Sequence, residues 1–158
     1  MKTYYYCFHR RGVAACFCLI VLAALFIPML GSAATITVTT GTVDNRLTDG
    51  RCTLREALVN AKNNAKTSPD CAAGSGSDTI VFSGVTTVNL FATAVLPTIT
   101  DGLVIDGGAG VTITRTGATA YRIFTINTTQ AVELRALTNN SGKVFRGVTG
   151  VGINKANS

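Results

Sequence analysis

The chain has no tryptophan, three prolines, two methionines and one histidine, and only 14% of its 158 residues are charged. The single histidine, His9, sits near the start, so everything after residue 34 lacks one. That absence excludes Ser–His–Asp and Cys–His catalysis and any histidine zinc site from residues 35–158. Exposed aromatic platforms for sugars are also scarce. Past residue 34 the chain offers Tyr121, Phe82, Phe91, Phe124 and Phe145, and the phenylalanines lie in or beside strand patterns, where they read as core. The 14 basic and 8 acidic residues give a net charge of +6. Setting aside Lys2, Arg10 and Arg11 leaves 11 basic residues and a net charge of about +3. These are scattered and form no basic stripe, so nucleic acid is not an expected partner.

Residues 1–34 have the three-part pattern of a secretory signal. Lys2, Arg10 and Arg11 form a basic start, Val13 to Leu30 is almost wholly apolar, and Gly31-Ser32-Ala33-Ala34 supplies small residues for cleavage after Ala33 or Ala34. The alternative is an uncleaved N-terminal membrane anchor, because the apolar run approaches the length of a span. In either case the membrane is met only through this segment. The expected product is secreted or displayed at the cell surface.

Five cysteines become two after such cleavage, Cys52 and Cys71. In an oxidising compartment an even pair reads as a disulfide. It would close a loop of about 20 residues and contribute roughly 3 kcal/mol in the chain-entropy model.

Cys52-Thr53-Leu54-Arg55-Glu56-Ala57 carries a helix start. Thr53 and Glu56 have capping-box spacing, in which the hydroxyl and the carboxylate each bind the other residue's backbone N–H. Leu54, Ala57, Leu58 and Ala61 then form an apolar stripe at helical spacing, predicting a helix from Thr53 to about Ala65. Arg55, Asn60, Lys62, Asn63 and Lys66 fall mostly off that stripe.

Elsewhere the pattern is β. Strand signals occur at Thr35–Thr40, Asp78–Phe82, Thr87–Leu90, Thr98–Thr100, Leu103–Ile105, Val111–Thr114, Ile123–Ile126 and Val132–Leu134. Gly turns separate many of them, at Ser83-Gly84, Asp101-Gly102, Asp106-Gly107-Gly108 and Thr116-Gly117. The links are too short for helical crossovers. Two architectures fit: a β-sandwich of hairpins, or a solenoid with short strands in each coil. Apolar strands such as Leu103-Val104-Ile105, with Asp-Gly and Gly-Gly corners, favour the solenoid. Its open end needs a cover, and the amphipathic helix would supply one.

Thr35–Thr40, Cys52-Thr53-Leu54-Arg55-Glu56-Ala57, Asp78–Phe82, Leu96-Pro97-Thr98-Ile99 and Val104-Ile105-Asp106-Gly107 follow in order over about 75 residues. Together they resemble the CSLREA domain family, with Thr53 in place of the serine of that name. The resemblance implies the N-terminal cap region of a bacterial exported protein with a right-handed parallel β-helix, like polymorphic outer-membrane proteins and autotransporter passengers. It implies no catalytic residues. The expected organisation is a signal over 1–34, a cap with strand, helix and disulfide loop over 35–77, and a short or truncated β-helix of few coils over 78–158. The expected role is a non-catalytic scaffold or adhesin-like passenger, with surface glycans or a host or neighbouring cell surface as partner.

The competing chemistry is weaker. A polysaccharide lyase or hydrolase would need paired carboxylates or a basic proton acceptor. Asp101 and Asp106 are the best acids, Asp78 a third, and Arg115, Arg122 and Arg135 would line one face if coils stacked in register. Each of these acids precedes Gly or opens a strand, where Asp commonly serves as a turn or cap residue. Gly107-Gly108-Ala109-Gly110 lacks phosphate-loop spacing and the Asp of the calcium-binding nonapeptide repeat. No cofactor or metal is expected. The cysteine pairing makes a direct prediction: the exported protein, unfolded in denaturant without reductant, shows no reactive thiol, whereas two titratable thiols would remove the bridge.

Overall fold

The computed structural model describes residues 32–42, 48–91, 95–116 and 122–139, together with the backbone of two short strands at Arg146–Gly147 and Lys155–Ala156. The chain divides into two units, Met1–Leu30 and Gly31–Ser158, and every described element belongs to the second. The expected signal segment lies, but for its last three residues, outside the described residues.

The fold is mainly β, with parallel strands in a sheet curled into a half-barrel and one short helix. In chain order the elements are β1 (Thr35–Val38), α1 (Leu54–Asn63), β2 (Asp78–Phe82), β3 (Thr87–Leu90), β4 (Leu103–Arg115), β5 (Thr125–Ile126), β6 (Val132–Asn139), β7 (Arg146–Gly147) and β8 (Lys155–Ala156). The main sheet has the order β1-β2-β4-β6-β8, with β3 also paired to β4, and β5 pairs with β7 separately. Every described strand pair is parallel. The hairpins that a sandwich requires do not form among these residues.

The register explains why these short segments hold together. Ile36 pairs with Ile80, Ile80 with Ile105, and Ile105 with Leu134. All four side chains are buried, so one inward ladder of branched aliphatics runs across the sheet. Val88 over Ile113, and Ile99 over Ile126, make two further buried steps. Adjacent strands lie about 4.8 Å apart, which puts the branched side chains in van der Waals contact. The alternate residues face out, as at Thr35, Thr37 and Val104. Parallel sheets are usually covered on both faces, whereas this one carries a half-polar, Thr-rich outer face.

The corner at Asp106–Val111 corrects the sequence expectation of two separate strands. Leu103–Arg115 is one strand, and its register against β6 slips between Asp106 and Val111. Three exposed residues, Gly108-Ala109-Gly110, are absorbed there, with Gly108 at φ 59° and Gly110 at φ 118°. Gly107 has a different reason. A Cβ at that position would run into the carbonyl oxygen of Ala136 in the neighbouring strand. Ala136 itself sits at φ 48°, a left-handed conformation that a side chain disfavours. Other strand signals shrink: of Thr98–Thr100 only Ile99 pairs, and of Ile123–Ile126 only the last two residues do. The helix ends two residues early because Asn64 adopts the left-handed conformation, φ 47° and ψ 41°, with its N–H returned to the Asn60 and Ala61 carbonyls.

Two substitutions at this corner should act with opposite sign. Gly107→Ala is expected to lower stability by about 1–3 kcal/mol through overpacking. Ala136→Gly relieves a left-handed alanine and is expected to leave stability level or raise it by up to about 1 kcal/mol. Urea midpoints of the two variants check the sign.

Candidate functional site

The densest set of buried polar side chains surrounds α1, at the β1 end of the sheet. Thr53 is the N-cap of α1, and its hydroxyl accepts from the Glu56 N–H at 3.2 Å. Glu56 Oε2 accepts from the Thr53 N–H at 2.9 Å and from the Thr53 hydroxyl at 3.0 Å. Both side chains are buried, Thr53 at 1% and Glu56 at 2% exposure. The capping box therefore lies inside the fold, where each satisfied donor is worth more than on a surface. Leu54, Ala57, Leu58 and Ala61 turn inward with the core.

Cys52 and Cys71 are disulfide-bonded, with Cα atoms 4.8 Å apart, inside the range that bridges occupy. The same cysteine ties the helix start to β1. The Thr39 N–H donates to the Cys52 carbonyl at 2.9 Å, and the Cys52 N–H donates to the Thr39 hydroxyl at 3.0 Å. Asp70 adds a second tie across the loop, accepting from the N–H groups of Asp49 and Gly50 at 2.7 and 3.0 Å.

Asn60 was expected off the apolar stripe, yet it is fully buried. Its Nδ2 donates to the Ser68 and Ala72 carbonyls, both at 2.9 Å, and its Oδ1 accepts from the Ser68 N–H at 2.6 Å. One side chain thus ties the backbone at Ser68 and Ala72, on either side of Cys71, to the helix. The available signal was its position, three residues after Ala57, at the margin of the stripe. Asp78 is likewise fully buried at the start of β2. Its Oδ1 accepts from the N–H groups of Ala34 at 2.9 Å and Ser75 at 2.8 Å.

The weaker catalytic candidates are kept apart by the topology. Asp101 Oδ1 accepts from the Gly102 N–H at 2.9 Å, and Oδ2 accepts from the side-chain amide of Asn64 at 3.2 Å. It therefore ties the helix C-cap to a corner beside the small cleft lined by Leu58, Ala61 and Leu103. Asp106 Oδ1 accepts from the Gly108 N–H at 2.8 Å, closing a turn. Arg115 pairs in register with Leu90, whereas Arg135 pairs with Asp106. The two arginines belong to different parts of the sheet and do not form the expected common face. Arg135 instead bonds Glu133 at 2.6 Å, and that hydrogen bond holds the Glu133 carboxyl below its ordinary range. Both partners are open to solvent, so the pair contributes little to stability. Among the described residues no three His, Cys, Asp or Glu side chains gather as a metal site. Among the same residues no helix is long and apolar enough to cross a membrane.

Comparison with known proteins returns no matching family model, no similar curated protein and no similar solved structure.

Three substitutions test the hierarchy of the cap. Asn60→Ala leaves the buried Ser68 N–H without its acceptor and should cost about 1–3 kcal/mol. Thr53→Ala should cost about 0.5–2 kcal/mol. Lys62→Ala, on the exposed side of α1, should stay within about 0.5 kcal/mol. Denaturant melts at unchanged m-value decide the order.

Proposed function

We propose that this chain is an exported, non-catalytic β-helix segment that serves as a scaffold or adhesin-like passenger at a cell surface. The observation that carries this reading is the recurrence of parallel pairings along the chain, from Ile36 with Ile80, 44 places on across the segment that holds α1, to Leu134 with Lys155, 21 places on. Ile80 pairs with the residue 25 places on, Val88 likewise 25, Ile99 27 and Ile105 29. A chain that returns to pair with itself in parallel after each such interval is winding in coils, and right-handed winding is the strongly favoured sense for parallel connections. The ordered blocks that resemble the CSLREA domain favour the same architecture and an exported bacterial setting. The disulfide supports an oxidising compartment.

The role follows from where the structure concentrates its polar chemistry. Buried donors and acceptors around α1 are spent on closing one end of the sheet, and the acids at Asp101 and Asp106 close turns. The surface left for partners is the outer face of the coils, and the partner class it suits is a glycan or a neighbouring cell surface.

The deciding experiment is expression of the full chain in a secreting bacterium, followed by far-UV circular dichroism and incubation with a panel of acidic and neutral polysaccharides. The expected outcome is a β-rich spectrum, one cooperative melt and no turnover. Polysaccharide cleavage that disappears in a folded Asp106→Asn variant would replace this proposal with a carbohydrate-active enzyme.

A further inference from the structure

Asp78 is a fully buried carboxylate with an incomplete set of partners. Oδ1 takes two backbone N–H groups, from Ala34 and Ser75. Oδ2 is buried and takes no hydrogen bond. Gly74 packs so closely that a Cβ there would lie 2.7 Å from Oδ2. Among the described residues no cationic side chain pairs with Asp78. A buried carboxylate facing only neutral donors is unfavourable, because desolvation is opposed by no opposite charge. Ala34, the donor at 2.9 Å, is also the residue at which the small-residue pattern places export cleavage. Gly31-Ser32-Ala33 and Ser32-Ala33-Ala34 both satisfy that pattern, so two bonds are open by sequence.

We infer that processing cuts the Ala33–Ala34 bond and that the new α-ammonium of Ala34 becomes the charge partner of Asp78. This rests on the export proposed above. A signal peptidase would hydrolyse the amide with one water: the Ala33 carbonyl carbon gains the oxygen and leaves as a carboxylate, and the Ala34 nitrogen keeps its proton and gains two more. A neutral N–H already aimed at Asp78 Oδ1 thus becomes a cation at the same position. Ser32 and Ala33 are exposed while Ala34 is half-buried, so the nitrogen to be kept lies at the edge of the fold. Cutting one bond later would delete the Ala34 nitrogen and also the Ala34 carbonyl, which accepts from the Thr79 N–H at 2.8 Å. The ion pair would fasten the start of β1 to the start of β2, coupling the stability of the fold to removal of the leader.

The test begins with the full chain, expressed in a secreting bacterium and recovered after export. Its intact mass is expected to correspond to a polypeptide beginning at Ala34. A product beginning at Thr35, elsewhere or still at Met1 overturns this inference and leaves export standing; a chain found only in the cytoplasm overturns both. The ion pair has its own readout in the pH dependence of α-amine labelling. Pairing with a carboxylate raises the apparent pKa of an amine, whereas burial alone lowers it. The native protein is expected to show the midpoint raised by about one unit, a tenfold smaller reactive fraction near neutrality, relative to the urea-unfolded protein. A folded Asp78→Asn variant is expected to lose the shift. An unshifted or lowered midpoint in the native wild type overturns the pair, whether or not the variant folds.

Discussion

Everything in this fold depends on the in-register stacking of parallel strands, because each is too short to hold alone. Ile36, Ile80, Ile105 and Leu134 share one buried ladder, and each step requires the strand before it to be in place. Parallel pairing at close separation also forces backbones together at the corners. That is why Gly107 lies against the Ala136 carbonyl and why Gly41 lies against that of Thr87. A side chain at either site would push neighbouring strands apart and disturb the ladder on both sides of the corner.

A stack of this kind has two ends, and an end is a row of unpaired backbone groups over an exposed apolar ladder. At the β1 end of the sheet, α1 packs against β1 and β2. Its apolar stripe joins the core, and buried polar contacts surround it. Asn60 gathers the loop backbone, Thr53 and Glu56 seal the helix start, and Cys52–Cys71 closes the loop covalently. Such groups are costly to bury and stabilise only when each finds a partner, so they specify one docking geometry. Two carboxylates in this region keep one buried oxygen without a hydrogen bond, Oε1 of Glu56 and Oδ2 of Asp78.

Much of the secondary structure was legible in the residues. Asp78–Phe82 and Thr87–Leu90 are strands with the bounds their alternation predicts. The capping box sits where the Thr53–Glu56 spacing puts it. What was not legible shares one physical cause. Whether Thr98–Thr100 becomes a strand depends on what lies beside it, and only Ile99 finds a partner. Leu103–Arg115 became a single strand because β6 continues alongside both halves of the bend. Asn60 looked like a surface residue, since an amide's burial is decided by a loop folding back 8 to 12 residues later.

The sequence by itself determined the local choices: which segments are extended, where the helix starts, which residues face inward, and that Cys52 and Cys71 are the two cysteines beyond residue 34. These follow from φ/ψ preferences, side-chain branching and spacing, all properties of a few neighbouring residues. Only the tertiary structure decided that strands pair in parallel rather than as hairpins, that Arg115 and Arg135 lie apart, and that Asp78 is buried against Ala34. Those outcomes rest on contacts between residues tens of positions apart, whose geometry no local pattern encodes.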